Sequence, residues 1–429
     1  MGSSLDSRIL ALAMARMVDA LANSFLVVVL PLYIGSQLVE LPSFVGTTVA
    51  LGVAEFTVTA ELLIGIVLSL FGFLNSFSQP VTGSISDKTG RRKVFLLTGL
   101  ALVAIGSAGY IVFTDYLSIL LMRGLQGIGA AFTIPVTVAL VNELSAEDER
   151  GGNFGLFNTF RLLGFGVGPL VAGGVVAAGP YTLFAIPISG FEAAFLVAVV
   201  GAVLSFGLIV ALIDDPERTE SEAADDISLT IRDPDGSGLD PVFALGLATI
   251  VMALSLAIFA PLANLVNARL DQGTFLFAVQ FGATVLANVM FQYPIGRLSD
   301  RYGRRPFLLG GFVLLLPTTL AQGFVQEPLL MILARFLQGI AVAAVFAPSL
   351  ALAGDLAKEG QSGSTLSILT MGFGLGVAFG TLFSGILVGF GFAVPFVVTT
   401  ALGAVGLLVV YTQVRETIGE SATTPMAGD

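Results

Sequence analysis

The chain has 429 residues, of which 55% are hydrophobic and only 11% charged, and its formal net charge is −11. A soluble globule carries about a quarter of its residues as charges, so a water-borne domain is excluded and a lipid bilayer is implied as the solvent. There is no Cys and no His, which removes disulfides, thiolate metal sites and the usual proton shuttle near neutral pH.

Crossing about 30 Å of hydrocarbon takes roughly 20 apolar residues. The first such run is 8–34, about 27 residues; it is longer than a signal-peptide core, lacks a cleavage pattern, and reads as a retained helix. Within it Arg16, Asp19 and Asn23 follow the i, i+3, i+7 spacing of one helical face, so this helix should line a cavity. The second run, 59–82, carries Asn75 and Gln79 and ends on a polar loop, Gly83-Ser84-Ile85-Ser86-Asp87-Lys88-Thr89-Gly90-Arg91-Arg92. Runs at 93–113 and 116–140 follow, the latter with Arg123 and Gln126 on one face. The fifth run, 153–178, holds Asn158, Arg161, Gly164, Gly168, Pro169, Gly173 and Gly174, and the sixth is 190–213. Residues 214–240 are acidic and rich in Ser, Gly and Pro, a solvated linker. Beyond it come runs at 241–265 (with Asn264), 275–295 (with Gln280, Asn288 and Gln292), 307–326, 328–352 (with Arg335 and Gln338), 364–389 and 391–413, then a tail, 414–429.

The chain repeats itself. The loop at Gly83 returns as Gly296-Arg297-Leu298-Ser299-Asp300-Arg301-Tyr302-Gly303-Arg304-Arg305, at an offset of 296 − 83 = 213. Arg123-Gly124-Leu125-Gln126-Gly127-Ile128 returns as Arg335-Phe336-Leu337-Gln338-Gly339-Ile340, at 335 − 123 = 212. Duplication inside an apolar chain points to a transporter. The reading is an all-α membrane protein with twelve transmembrane helices in two pseudo-symmetric six-helix bundles, 1–213 and 241–413. Placing both termini in the cytoplasm puts fourteen Lys and Arg residues inside, including Arg8, Lys88, Arg150, Arg218, Lys358 and Arg415, against Arg269 alone outside. The seven Tyr residues fall near the expected membrane–water boundaries, where an amphipathic ring prefers to sit.

The two GxxxD[KR]xGRR loops, each after the second helix of a half, resemble the signature of the major facilitator superfamily. The resemblance spans the whole chain: twelve helices, two halves, an acidic central segment and both loops. It implies a cytoplasmic gate built from Gly83, Asp87, Gly90, Arg91 and Arg92 and from Gly296, Asp300, Gly303, Arg304 and Arg305. Arg123 resembles the fourth-helix arginine of proton-coupled members, which implies a part in proton transfer, with Arg335 as its twin. Gly164, Gly168, Pro169, Gly173 and Gly174 resemble the fifth-helix Gly-Pro motif of antiporters. The match is imperfect, with Ala172 at the first paired-glycine position and Thr381 where the repeat would put Pro169.

Proton coupling without His needs a carboxylate inside the membrane. Glu61, Glu143, Glu192, Glu327 and Asp355 fall near helix ends, whereas Asp19 lies deep. Asp19 is therefore expected to carry the proton and to pair with Arg161 or Arg16, with sodium as an alternative coupling ion. Asn23, Gln126, Asn158, Asn264, Gln280, Asn288, Arg335 and Gln338 are expected to face the cargo. The expected function is proton-coupled antiport that exports small amphipathic or drug-like compounds by alternating access; the alternative is a symporter or facilitator for a sugar or organic acid. No P-loop, HExxH or GxSxG constellation and no basic patch suited to nucleic acid is present, so neither an enzyme, a cofactor nor a nucleic-acid partner is expected. The acidic composition suggests a halophilic host, and the duplicated halves suggest a monomer in the cell membrane.

Overall fold

The computed structural model describes residues 7–51, 54–145, 150–215, 231–232, 238–356 and 362–416. Most of the expected linker and tail, with Arg218 and Lys358, lies outside them. The first repeat forms α1 (Ser7–Ile34), α2 (Ala60–Thr89), α3 (Arg92–Val112), α4 (Tyr116–Leu144), α5 (Arg150–Ala178) and α6 (Gly190–Leu212). The second forms α7 (Pro241–Ala257), α8 (Ala263–Arg269), α9 (Thr274–Tyr302), α10 (Arg304–Gln322), α11 (Pro328–Leu356), α12 (Ser362–Leu387) and α13 (Val394–Gln413). Among the described residues eleven helical stretches are long and apolar enough to cross a membrane, with 241–269 counted as one. With α10, whose 19 residues begin on two arginines, the twelve expected spans are all helical.

Three details differ from the sequence reading. The span expected at 241–265 is broken by a 3₁₀ turn, Ala260–Leu262, because Pro261 can donate no backbone hydrogen bond and its ring crowds the preceding turn. The gate segments expected as loops are largely helix: α2 runs to Thr89 and α9 to Tyr302. Hydropathy marks where the apolar run stops, not where the hydrogen-bond ladder stops. The ladder ends at Gly90, whose φ of 65° is the left-handed conformation that glycine adopts freely, and its N–H bonds to the Ser86 carbonyl. Finally, two short antiparallel hairpins occupy inter-helix connections, β1 (Thr48–Leu51) with β2 (Ala54–Thr57) and β3 (Tyr181–Leu183) with β4 (Ile186–Ile188). Strands of three and four residues are too short to leave a readable alternation.

The chain packs as two compact units. The first takes in residues 1–224, 259–282 and 381–390. Lipid tails are as apolar as leucine, so helices here are held by close packing rather than by the hydrophobic effect. α5 lies directly on α1: a Cβ at Gly164 would stand 2.0 Å from the Met17 carbonyl oxygen, and one at Gly168 2.1 Å from Ser24 Oγ. α4 packs on α2 and α3, where the Thr82 hydroxyl donates to the Ala131 carbonyl at 2.6 Å. Segment 259–282 is tied in by Asn264, whose side-chain amide donates to the Pro31 carbonyl at 2.8 Å.

The second unit takes in 225–258, 283–380 and 391–429. Its core joins Leu245 and Met252 of α7, Leu308 and Phe312 of α10, Val342 and Val345 of α11 and Val410 of α13. Gly376 and Gly380 of α12 lie against α7, where added Cβ atoms would come within 2.4 Å of the Ile250 carbonyl and 2.6 Å of the Leu254 carbonyl.

Candidate functional site

The polar stripe of α1 is built around an ion pair. Arg16 Nη1 donates to Asp19 Oδ2 one turn along the helix, and the two side chains are only 13% and 12% exposed. Asp19 is twelve residues into a helix that starts at Ser7, about 18 Å at 1.5 Å per residue. At that depth a lone carboxylate is costly, and a paired one is tolerated. The spacing left Asp19 two partners, and the structure selects Arg16.

Arg161 is held instead within α5. Its Nε and Nη2 both donate to Asn158 Oδ1, at 3.1 and 2.8 Å. Asn23, at the top of the stripe, has its side-chain oxygen buried with no hydrogen-bond partner among the described residues. A cavity of about 20 Å³ opens beside the ion pair, between α1, α3, α4 and α6.

Arg123 and Gln126 sit inside the first unit, in a relay that sequence spacing suggested only in part. Arg123 Nη1 donates to Gln126 Oε1 at 3.1 Å, and the guanidinium lies 4.2 Å over the Phe71 ring. The Tyr110 hydroxyl donates to the same amide oxygen at 3.0 Å, and the amide nitrogen donates to Ser107 Oγ at 3.0 Å. Arg123 is 2% exposed and Gln126 1%. The second unit repeats the motif: Arg335 Nη1 donates to Gln338 Oε1 at 2.6 Å, and Gln338 donates to the Ser255 carbonyl and Thr319 Oγ1 at 3.0 and 3.1 Å.

Three other expected cargo residues lie in the second repeat. Asn264 holds the Pro31 carbonyl. Gln280 forms a reciprocal amide pair with Gln272, at 2.7 and 3.0 Å. Asn288 is partly buried on α9.

The gate residues come together as ion-paired clasps, one in each unit. In the first, Arg92 pairs with Asp87, donates to Ser86 Oγ at 3.0 Å and reaches Glu143 at the end of α4 at 2.6 Å. In the second, Arg304 pairs with Asp300 at 3.4 Å and with Asp355 at the end of α11. Glu143 and Asp355 were missed as clasp partners, although their offset, 355 − 143 = 212, is that of the repeat. The arginine in charge differs by one position. Two residues, Gly90 and Arg91, separate α2 from α3, but Gly303 alone, at φ 100°, separates α9 from α10. Arg91 is left exposed, and Arg305 takes a different task.

That task is shared with Lys93. The N-cap residues Arg91 and Gly303 cap nothing with a side chain, so the positive starts of α3 and α10 need an acceptor. Asp215, just past α6, accepts from the Lys93 N–H at 2.6 Å, and Glu416, just past α13, accepts from the Arg305 N–H at 2.9 Å. The Arg305 guanidinium also donates to the Tyr411 carbonyl at 2.7 Å.

The fold is matched by similarity to known proteins. A Major Facilitator Superfamily model matches residues 12–244 and again 245–426. An uncharacterized MFS-type transporter of Methanocaldococcus jannaschii is 22% identical over 59% of this chain and 64% of its own length, so the match spans less than two thirds of that relative. A multi-drug resistance efflux pump homolog of Lactococcus lactis is 24% identical over 66% of this chain and 68% of its own. Among solved structures, the chain is similar to a bacterial homolog of the human lysosomal transporter Spinster, with a TM-score of 0.75 and 12% identity over 96% of this chain and 97% of that one. It is also similar to a D-xylose–proton symporter, with a TM-score of 0.70 and 17% identity over 96% and 98%.

Proposed function

The chain belongs to the major facilitator superfamily, and we propose that it is a proton-coupled antiporter exporting small amphipathic or drug-like compounds by alternating access. The observation that carries this is the Arg16–Asp19 pair, the two charges held together deep in α1. A proton on Asp19 abolishes the attraction and leaves Arg16 as a buried, uncompensated cation. Breaking such a pair from one side costs on the order of 3–5 kcal/mol in a buried setting, enough to shift a two-state equilibrium by more than a hundredfold. Protonation thus biases the two access states differently, and a neutral or cationic cargo that competes for the carboxylate exchanges with the proton. The similarity to a Lactococcus efflux pump supports the direction.

Each clasp joins the second helix of a repeat to the fourth, α2 to α4 and α9 to α11, and holds the cytoplasmic gate in one state. The repeats at 1–213 and 241–413 are the bodies that move. Both termini face the cytoplasm, the protein sits in the cell membrane as a monomer, and sodium is the alternative coupling ion. The acidic loops suit a host that lives in strong salt.

A second reading, symport of an organic acid, is favoured by Arg161, a cation in α5 held by a neutral amide rather than a carboxylate. An anion seated there would bind better with Asp19 protonated, so proton and cargo would travel together. Reconstituted protein in high-salt vesicles separates the two. Lipophilic cations that drive protons outward from acid-loaded vesicles support antiport, and acids that carry protons along with them support symport.

A further inference from the structure

The cavity beside Asp19 has a polar wall. It is lined by Arg16 and Asp19 of α1, Thr133 and Thr137 of α4, and Leu96 and Leu100 of α3. Both threonines are nearly enclosed, at 4% and 5% exposure. The Thr137 hydroxyl donates to the Thr133 carbonyl at 2.5 Å, and the Thr133 hydroxyl to the Ala130 carbonyl at 3.1 Å. Each hydroxyl has one hydrogen, already given to a carbonyl, so each oxygen keeps acceptor capacity alone. Asp19 gives Oδ2 to Arg16 and keeps Oδ1. Three oxygens that can only accept therefore meet one cationic donor.

That pattern selects the occupant. An anion would meet acceptors, and an apolar group would offer them no hydrogen. Water, with two hydrogens to give and a lone pair for Arg16, satisfies the wall, and a site with two to four polar partners is where buried water is found. The volume of about 20 Å³ exceeds the 10–15 Å³ or so that one water requires. The surroundings make the site distinct, because Leu12, Leu96, Leu140, Phe157, Ile209 and Ile213 form a continuous apolar cluster in the same bundle.

We propose that Asp19, Thr133 and Thr137 form a hydration site inside the first helical unit, and that Asp19 takes its proton from the water bound there. The inference rests on Asp19 being the proton carrier. In the step a hydronium O–H bond breaks, its electron pair stays on the water, a new O–H bond forms at Asp19 Oδ1, and Arg16 loses its ionised partner. The charged group against Asp19 is Arg16 on its own helix, with Arg161 on α5 in electrostatic reach of Arg16, while α3, α4 and α6 present Leu96, Leu100, Thr133, Thr137 and Ile209 to the cavity, none of which titrates.

The test is the proton uptake of the purified full chain in detergent, titrated with a pH indicator across the acidic and neutral range. Wild type should bind one proton more than Asp19→Asn. The double variant Thr133→Val, Thr137→Val should keep that proton but take it up with a midpoint raised by about one unit or more. The water donates to the ionised carboxylate, a charge-assisted bond whose loss disfavours the charged form. Thr133→Ser with Thr137→Ser keeps the oxygens and should keep the midpoint. Ala15→Val fills the cavity from α1 without touching either threonine, and should raise the midpoint in the same way. A midpoint unchanged in both cavity variants, with the Asp19 proton still present, overturns the hydration site alone. Equal proton uptake by wild type and Asp19→Asn overturns the hydration site together with the carrier role on which it rests.

Discussion

The fifth-helix glycines give a graded prediction. A Cβ at Gly164 would lie 2.0 Å from the Met17 carbonyl oxygen, whereas real Cβ contacts essentially never fall below 3.0 Å, so α1 and α5 would have to part by at least 3.0 − 2.0 = 1.0 Å. The obstacle is backbone, which cannot rotate aside. Overpacking of this kind costs about 1–3 kcal/mol, offset by up to about 1 kcal/mol from replacing glycine with alanine in a helix. Gly164→Ala should therefore lose about 1–2 kcal/mol net, a fall in Tm of roughly 1–2 °C for a chain of 429 residues. Gly168→Ala meets the Ser24 hydroxyl, which can turn aside, at 2.1 Å and the Leu21 carbonyl at 2.7 Å, and should cost less; Gly173→Ala meets Ala278 Cβ, which cannot turn aside, at 2.2 Å, and should cost about as much. Gly174 has nothing within 4 Å of its added Cβ, so Gly174→Ala should be neutral or slightly stabilising. Melting followed by size-exclusion retention, with transport measured on the same preparations, reads the series. If Gly174→Ala damages either readout as much as Gly164→Ala, close helix approach is not what these glycines provide.

The clasp asymmetry predicts that Arg92→Gln destabilises and Arg91→Gln does not, while in the second repeat Arg304→Gln is the damaging change at the clasp. The Arg92 loss should be on the order of 1–3 kcal/mol, below the buried-pair value because Asp87 and Glu143 are 36% and 26% exposed; parallel melting curves of the three variants decide it. Gln126→Leu removes the acceptor shared by Arg123 and Tyr110 and should cost about 2–3 kcal/mol, whereas Tyr110→Phe should cost about 1 kcal/mol, since the amide oxygen keeps Arg123. Similar losses for the two would deny the shared-acceptor geometry. Asn264→Leu removes one bond to the Pro31 carbonyl, which also accepts from the Gly35 N–H at 3.0 Å, so a loss near 1 kcal/mol is expected with cargo affinity intact. A large drop in affinity would place Asn264 at the cargo instead.

Much of the fold was legible because a bilayer enforces it. Backbone groups in hydrocarbon must be satisfied within the segment, so a long apolar run can only be a helix. The duplication was equally plain, although its offset was not used to link Glu143 to Asp355. What stayed hidden depended on distance rather than periodicity. Asp19 faced two arginines that spacing could not rank, since Arg161 is brought near α1 by Gly164 and Gly168 and then turned toward Asn158 by a local bond. The one-residue shift from Arg92 to Arg304 follows from where two helices stop, a matter of single backbone conformations at Gly90 and Gly303. Gln280 stood out as a polar residue in an apolar span, but its amide partner, Gln272, lies just outside the helix, where no pattern announces it.

Asp19→Asn most directly tests the central claim, measured in vesicles as two rates: cargo exchange at equal pH, and cargo accumulation driven by a pH gradient. The account predicts that exchange survives, because the neutral amide mimics the protonated carrier, while gradient-driven accumulation disappears. Accumulation that persists at the wild-type rate would contradict it and move the proton to another group.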